Sequence, residues 1–152
     1  MSQFAIRDLR KEDSDYLLIM MIEFYASPAI IHKPEVEVLK RNIESCLDNN
    51  VPLRGIVFTI DDKIVGYSML SFSFSTEYGL PCVWLEDLFI KERYRNRGIG
   101  SEFFSYLKKE YPSDKYRVRL EVEPNNERAI AFYNRNGFTD IEYLQKEIKV
   151  KY

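Results

Sequence analysis

Histidine is almost missing from this sequence, His32 being the only one. A Ser-His-Asp or Cys-His mechanism would have to run through that residue, and no G-x-S-x-G surrounds a serine, so hydrolase chemistry is set aside. Cysteine is scarce too. Cys46 and Cys82 lie far apart and form no CxxC, which argues against a disulfide framework or a zinc site and leaves them as small buried residues. No apolar run approaches the ~20 residues that span a bilayer. The start, Met1-Ser2-Gln3-Phe4-Ala5-Ile6-Arg7-Asp8, lacks the basic and apolar regions of a signal peptide. Neither sign of charge dominates, and a net charge of −2 argues against broad attraction to nucleic acid. The expectation is a soluble, cytoplasmic protein with no membrane or nucleic-acid partner and no metal. Its 152 residues, 45% hydrophobic and 30% charged, suit a single domain spanning 1–152.

The hydrophobic pattern changes period along the chain. Phe4 to Leu9 reads as a strand, and Asp13 as the cap of a helix carrying Leu17, Met20, Met21 and Phe24. After a break from Ser27 to Lys33, Pro34 suits the first turn of a second helix with Val36, Leu39, Ile43 and Leu47 on one face. From Gly55 the period becomes two: Ile56, Phe58 and Ile60 run up to Asp61-Asp62-Lys63, and Ile64 to Leu70 resumes, predicting a hairpin. Cys82 to Ile90 is apolar on both faces, as in the middle of a covered sheet, which makes Glu86 and Asp87 conspicuous. Phe103, Phe104 and Leu107 give a helical stripe, and Tyr116, Val118, Leu120 and Val122 alternate with Arg117, Arg119, Glu121 and Glu123 as a strand. Asn126 to Asn136 reads as a helix ended by Gly137, and Phe138 to Val150 as one or two further strands. The result is an α/β protein with a mixed α+β sheet in the order β-α-α-β-β-β-α-β-α-β(β). The terminal alternation Ile148, Val150, Tyr152 offers an edge strand to a second copy, as in a homodimer.

Between the strand at Leu88-Phe89-Ile90 and the following helix lies Arg95-Asn96-Arg97-Gly98-Ile99-Gly100-Ser101. Helix N-terminal N–H groups have no intrahelical partner and carry the positive end of the helix dipole, and glycine lets the backbone approach an anion closely. The turn is a candidate phosphate site, with Arg95 and Arg97 adding charge. One strand later comes Asn126-Glu127-Arg128-Ala129-Ile130-Ala131-Phe132-Tyr133-Asn134-Arg135-Asn136-Gly137-Phe138.

This pair of segments resembles the GNAT superfamily, whose cofactor loop reads R/Q-x-x-G-x-G/A and whose later helix reads N-x-x-A-x-x-x-Y-x-x-x-G-F. Both match without a gap. Trp84 to Ile90 and Tyr94 to Glu102 are also similar to diamine and polyamine acetyltransferases, although the connection from Tyr25 to Pro34 carries none of their acidic amine-binding residues at obvious positions. The resemblance implies the GNAT fold and acetyl transfer from acetyl-CoA, as co-substrate, to a primary amine by direct attack in a ternary complex. Small amines of the polyamine, diamine or amino-acid kind compete as acceptors with protein N-termini and lysines. A non-catalytic acyl-CoA sensor is the reading from another class.

The resemblance also implies roles. Backbone groups of Leu88, Phe89 and Ile90 would bind the pantetheine arm, and the N–H groups from Asn96 through Arg97, Gly98, Ile99 and Gly100 to Ser101 would take the pyrophosphate, helped by Arg95 and Arg97. Asn126 would be a cofactor contact and Tyr133 the donor that protonates the departing thiolate. An amine with a pKa near ~10.4 must lose a proton before it attacks. Glu86 is the candidate base, directly or through water; Asp87 points to the other face unless a bulge intervenes, and His32 is a further candidate.

Overall fold

The computed structural model describes residues 1–151; Tyr152 lies outside the described residues. The chain forms β1 (Phe4–Asp8), α1 (Ser14–Tyr25), α2 (Val36–Leu47), β2 (Leu53–Ile60), β3 (Lys63–Ser75), β4 (Leu80–Ile90), α3 (Ile99–Glu110), β5 (Arg117–Leu120) and α4 (Glu127–Arg135). The strands make one sheet in the order β1-β2-β3-β4-β5. All neighbours are antiparallel except β4 and β5, which run parallel because the α3 crossover joins them.

Through α4 the order is the one expected from the sequence. The strands expected between Phe138 and Val150 do not form among the described residues. Phe138 packs on Phe104 and Tyr133, but beyond it Ile141, Tyr143, Leu144, Ile148 and Val150 are all exposed. β5 is the sheet's outer strand but only four residues long, and the apolar residues beyond Phe138 bury no face that would hold a further strand against it.

Local chemistry explains several boundaries. Asp61 and Asp62 take φ of 49° and 63°, the left-handed pair that a two-residue hairpin requires and short polar side chains tolerate. Asp13 precedes α1 as expected but does not cap it. Its carboxylate accepts the fork of Arg7 at 2.8 and 3.0 Å and the Arg10 N–H at 2.8 Å, tying α1 to β1. The Arg7 hydrogen bond is the main reason that this carboxyl lies below its usual range. Pro34 falls outside α2, where extended Glu35 is the boundary residue.

Helices cover both faces of the sheet. On one, α1 and α2 press Leu17, Met20, Met21, Leu39 and Ile43 against Val57, Tyr67, Met69 and Phe89. On the other, α3 lays Ile99, Phe103, Phe104 and Leu107 over Ile56, Phe58, Val65, Leu70, Val83 and Leu85, with α4 adding Phe132 and Tyr133. Burying both faces of β2 and β3 turns their alternation into near-continuous apolar runs.

Candidate active site

The strand register puts the two carboxylates of β4 in an unusual place. Met69 of β3 faces Asp87, but the next residue, Leu70, faces Leu85, so Glu86 has no partner. This is a β-bulge: one extra residue on β4 resets the alternation. Glu86 accepts a hydrogen bond from Ser71 Oγ at 2.7 Å, while Asp87 accepts from Tyr67 at 2.8 Å and Tyr25 at 2.6 Å. Both carboxylates therefore lie on the α1/α2 side. The opposition of faces expected from simple alternation does not occur, because the bulge removes it.

Their environments differ sharply. Asp87 is 3% exposed, whereas Glu86 is exposed, so the expectation of a buried Glu86 is corrected. Burial pushes the Asp87 carboxyl up to about 6, against the two tyrosine hydroxyls that favour its ionised form. The tyrosines respond in kind: burial first, then the Asp87 charge, drives both hydroxyls upward. Tyr25 is the last residue of α1, so this hydrogen bond fixes where α1 gives way to the connection carrying His32. His32 itself is exposed.

Beyond the bulge, β4 loses a neighbour. β5 pairs only through Cys82↔Arg117 to Leu85↔Leu120, so β4 continues from Glu86 to Ile90 with its β5-side edge open. The chain then turns through Asn96 (φ 60°) and Gly98 (φ 82°) into α3. Gly98 stands at the N-cap without a side-chain cap, and the first helical bond runs from Glu102 N–H to the Gly98 carbonyl. The N–H groups of Ile99, Gly100 and Ser101 consequently have no partner four residues earlier. A Cβ added to Gly98 would meet nothing within 4 Å, so the approach is open. These donors suit a diphosphate.

Not every expected contact residue is free for that role. Arg95 Nε donates to the Ile90 carbonyl at 2.7 Å, so the two brace each other across the turn. Arg97 leans over Tyr94, 5.5 Å from the ring centre, and Asn96 accepts from Arg128 of α4 at 2.9 Å. Gly100 allows a close approach, since a Cβ there would sit 2.6 Å from the Phe132 ring. Ile99 is core. Asn126 caps α4 by accepting from Ala129 N–H at 3.2 Å.

Tyr133 packs edge-on against Phe104, 6.0 Å between ring centres. Burial alone raises its hydroxyl, which keeps the proton on at neutral pH, and that hydroxyl makes no hydrogen bond among the described residues. Tyr133 also lines a groove of about 1180 Å³ between β5, α3, α4 and residues 136–145. The Arg95 to Ser101 loop does not border this groove.

Sequence reasoning missed Tyr25, Tyr67 and Ser71 as partners of the carboxylates, because no periodicity marks a hydrogen bond between residues 62, 20 or 15 positions apart. The diagnostic signal would have been the bulge. Among the described residues, no group of three His, Cys, Asp or Glu could hold a metal, and no helix is long and apolar enough to cross a membrane.

The chain is 38% identical over 80 residues to the bovine (Bos taurus) thialysine N-epsilon-acetyltransferase, covering 51% of this chain and 46% of that protein. It is 32% identical over 75 residues to the spermine/spermidine N(1)-acetyltransferase of Bacillus subtilis, covering 45% and 49%. The chain thus spans about half the length of the curated relatives it matches. In fold it superposes on a possible acetyltransferase from Clostridium difficile 630 with a TM-score of 0.86, at 23% identity over 98% of this chain and 99% of that one. Aminoglycoside N-acetyltransferase AAC(6')-Iy, solved in complex with CoA, gives 0.77 at 16% identity, covering 98% and 96%. With residues 18–138 matching the model of the acetyltransferase (GNAT) family, and the open β4 edge leading into the bare N-terminus of α3, the chain belongs to the GNAT acetyltransferases.

Proposed function

We propose that this protein transfers the acetyl group of acetyl-CoA to a primary amine of a small molecule, by direct attack in a ternary complex. The observation that carries this reading is the stretch of β4 from Glu86 to Ile90, unpaired towards β5, which ends in a left-handed turn and an uncapped helix start. An extended arm with amide groups can hydrogen-bond such an edge as a missing strand would, and a diphosphate can sit on the N–H groups that follow. Leu88 and Ile90 point their backbone groups to the open edge, although the Ile90 carbonyl already serves Arg95, whereas Phe89 between them points its own toward Tyr67 of β3. Asn96 to Ser101 offer N–H groups for the phosphates, with Arg97 supplying charge. Bound acetyl-CoA supplies an activated thioester.

The chain's own residues then manage protons. Glu86, exposed and held by Ser71, accepts the proton of the incoming ammonium directly or through water. Asp87 is enclosed by two tyrosines and acts by fixing the bulge and the end of α1. Tyr133, protonated and without a hydrogen-bond partner among the described residues, donates to the departing thiolate. The names of the relatives, thialysine, spermine/spermidine and aminoglycoside acetyltransferases, support a small amine as acceptor.

Incubation with acetyl-CoA and a panel of diamines, amino acids and peptides, read by release of free thiol, tests the reading. Release that depends on a small amine is expected. Release only with peptides would redirect the acceptor to protein, and tight binding of acetyl-CoA without release to any amine would make the chain a sensor.

A further inference from the structure

The strand that stops short beside the bulge carries two arginines with different fates. Arg117 is engaged: it donates to Ser75 Oγ at 3.1 Å and its guanidinium lies 4.7 Å from the centre of the Tyr78 ring. Arg119 stacks on Trp84 at 4.3 Å and makes no hydrogen bond or ion pair among the described residues. Its Nε is buried without a partner. A guanidinium is a rigid fork of donors whose geometry matches a carboxylate, and a buried donor without an acceptor is costly.

The register places this fork beside the proposed chemistry. Trp84 faces Ser71 on one side and Arg119 on the other, and Ser71 holds Glu86. Arg119, Trp84, Ser71 and Glu86 therefore share the face of the sheet on which the two carboxylates lie. Strand spacing sets the Cα atoms of Arg119 and Glu86 roughly 8 Å apart, with the indole flanking the fork. A cation and an anion so arranged match a ligand with an ammonium at one end, an apolar spacer and a carboxylate at the other. A plain diamine would bring a second cation up to Arg119.

We propose that Arg119 selects the acceptor by its carboxylate, so that the preferred substrate is an amino-acid-like amine with its ammonium at Glu86 and its carboxylate on the Arg119 fork. This rests on the acetyl-transfer reading above.

Trp84 is the only tryptophan in the chain, so its fluorescence reports directly on the ring beneath Arg119. With CoA present, the protein is titrated with matched pairs that differ in one carboxylate: lysine against 1,5-diaminopentane, and 6-aminohexanoate against hexylamine. Thiol release from acetyl-CoA is measured with the same compounds. The carboxylate member of each pair should half-saturate the fluorescence change, and lower KM, at about 10- to 100-fold smaller concentration. Arg119→Met should remove the preference by raising KM for the carboxylate members alone, and Arg119→Lys should restore part of it. Equal affinity within each pair in the wild type would overturn the proposal. So would an Arg119→Met variant that weakens both members alike, because that is the mark of a structural stack. Thiol release with amines but no carboxylate preference sinks this inference alone. A carboxylate preference in fluorescence without release to any amine upholds the Arg119 site and sinks the acetyl-transfer reading.

Discussion

On the side covered by α3 and α4, the sheet presents Phe58, Leu70, Val83 and Leu85 to a layer of aromatic rings, while the side covered by α1 and α2 also carries Asp87, Tyr67 and Ser71 and leaves Glu86 in the open. The first side is dry packing that holds α3 and α4 in register, so it determines where the Gly98 turn and Tyr133 sit. The second carries the ionisable groups, Asp87 and Tyr67 buried and Glu86 exposed. One bulge divides these duties, because it puts two consecutive carboxylates of β4 on the same side. Dry packing and buried polar groups thus lie on opposite faces of the same strands.

The comparison breaks first at Tyr133, which belongs to the aromatic side yet carries a proposed chemical role. Tyr133→Phe keeps the ring and its packing, so acetyl-CoA affinity should hold while kcat falls by about 10²–10⁴-fold. Unchanged kcat would return Tyr133 to packing. Phe104→Ala removes a ring buried among Phe103, Phe132, Tyr133 and Phe138 and should cost about 3–5 kcal/mol of stability in denaturant titration. A loss below about 1 kcal/mol would show that the aromatic layer is not the rigid side.

On the polar side the effects are smaller and depend on pH. Glu86→Gln keeps shape and removes the proton acceptor, so activity should fall most at low pH and recover partly as free amine becomes available. Parallel pH–rate profiles for variant and wild type would move the role to Asp87, His32 or water. Asp87 supplies the smallest effect. Its carboxyl is raised from 3.8 to about 6 by burial, so the folded state holds that proton more tightly than the unfolded chain does. Its stabilisation is full below about 3.8 and is lost as pH rises through about 6. Lowering pH from 7 to 5 should therefore stabilise the wild type relative to Asp87→Asn by about 1 kcal/mol in paired denaturant melts. Identical pH dependence in the two proteins would mean that burial does not perturb Asp87.

Much of this arrangement was legible in the residues. The helices followed from the spacing of Leu17, Met20 and Met21 and of Phe103, Phe104 and Leu107, because a helix face repeats within the sequence itself. The hairpin at Asp61-Asp62 and the turn at Gly98 were legible because only certain residues tolerate left-handed backbone. The bulge was not, since it depends on the pairing of β3 with β4, and apolar residues flank Glu86 and Asp87 whichever register is taken. The C-terminal alternation misled for a similar reason: Ile148 and Val150 have the period of a strand but, among the described residues, stay exposed and form none. For Glu86, an apolar neighbourhood in sequence suggested burial that the bulge reverses.

Calorimetric titration with acetyl-CoA, wild type beside Gly98→Val, tests the proposed cofactor site most directly. A side chain at Gly98 strains a left-handed φ of 82° and fills the open approach to the α3 N–H groups. Saturable binding by the wild type, lost in a variant whose circular dichroism spectrum is unchanged, is the expected result. Equal affinity in the two folded proteins would contradict the placement of the diphosphate, and no binding by the wild type would contradict the assignment of acetyl-CoA to this site.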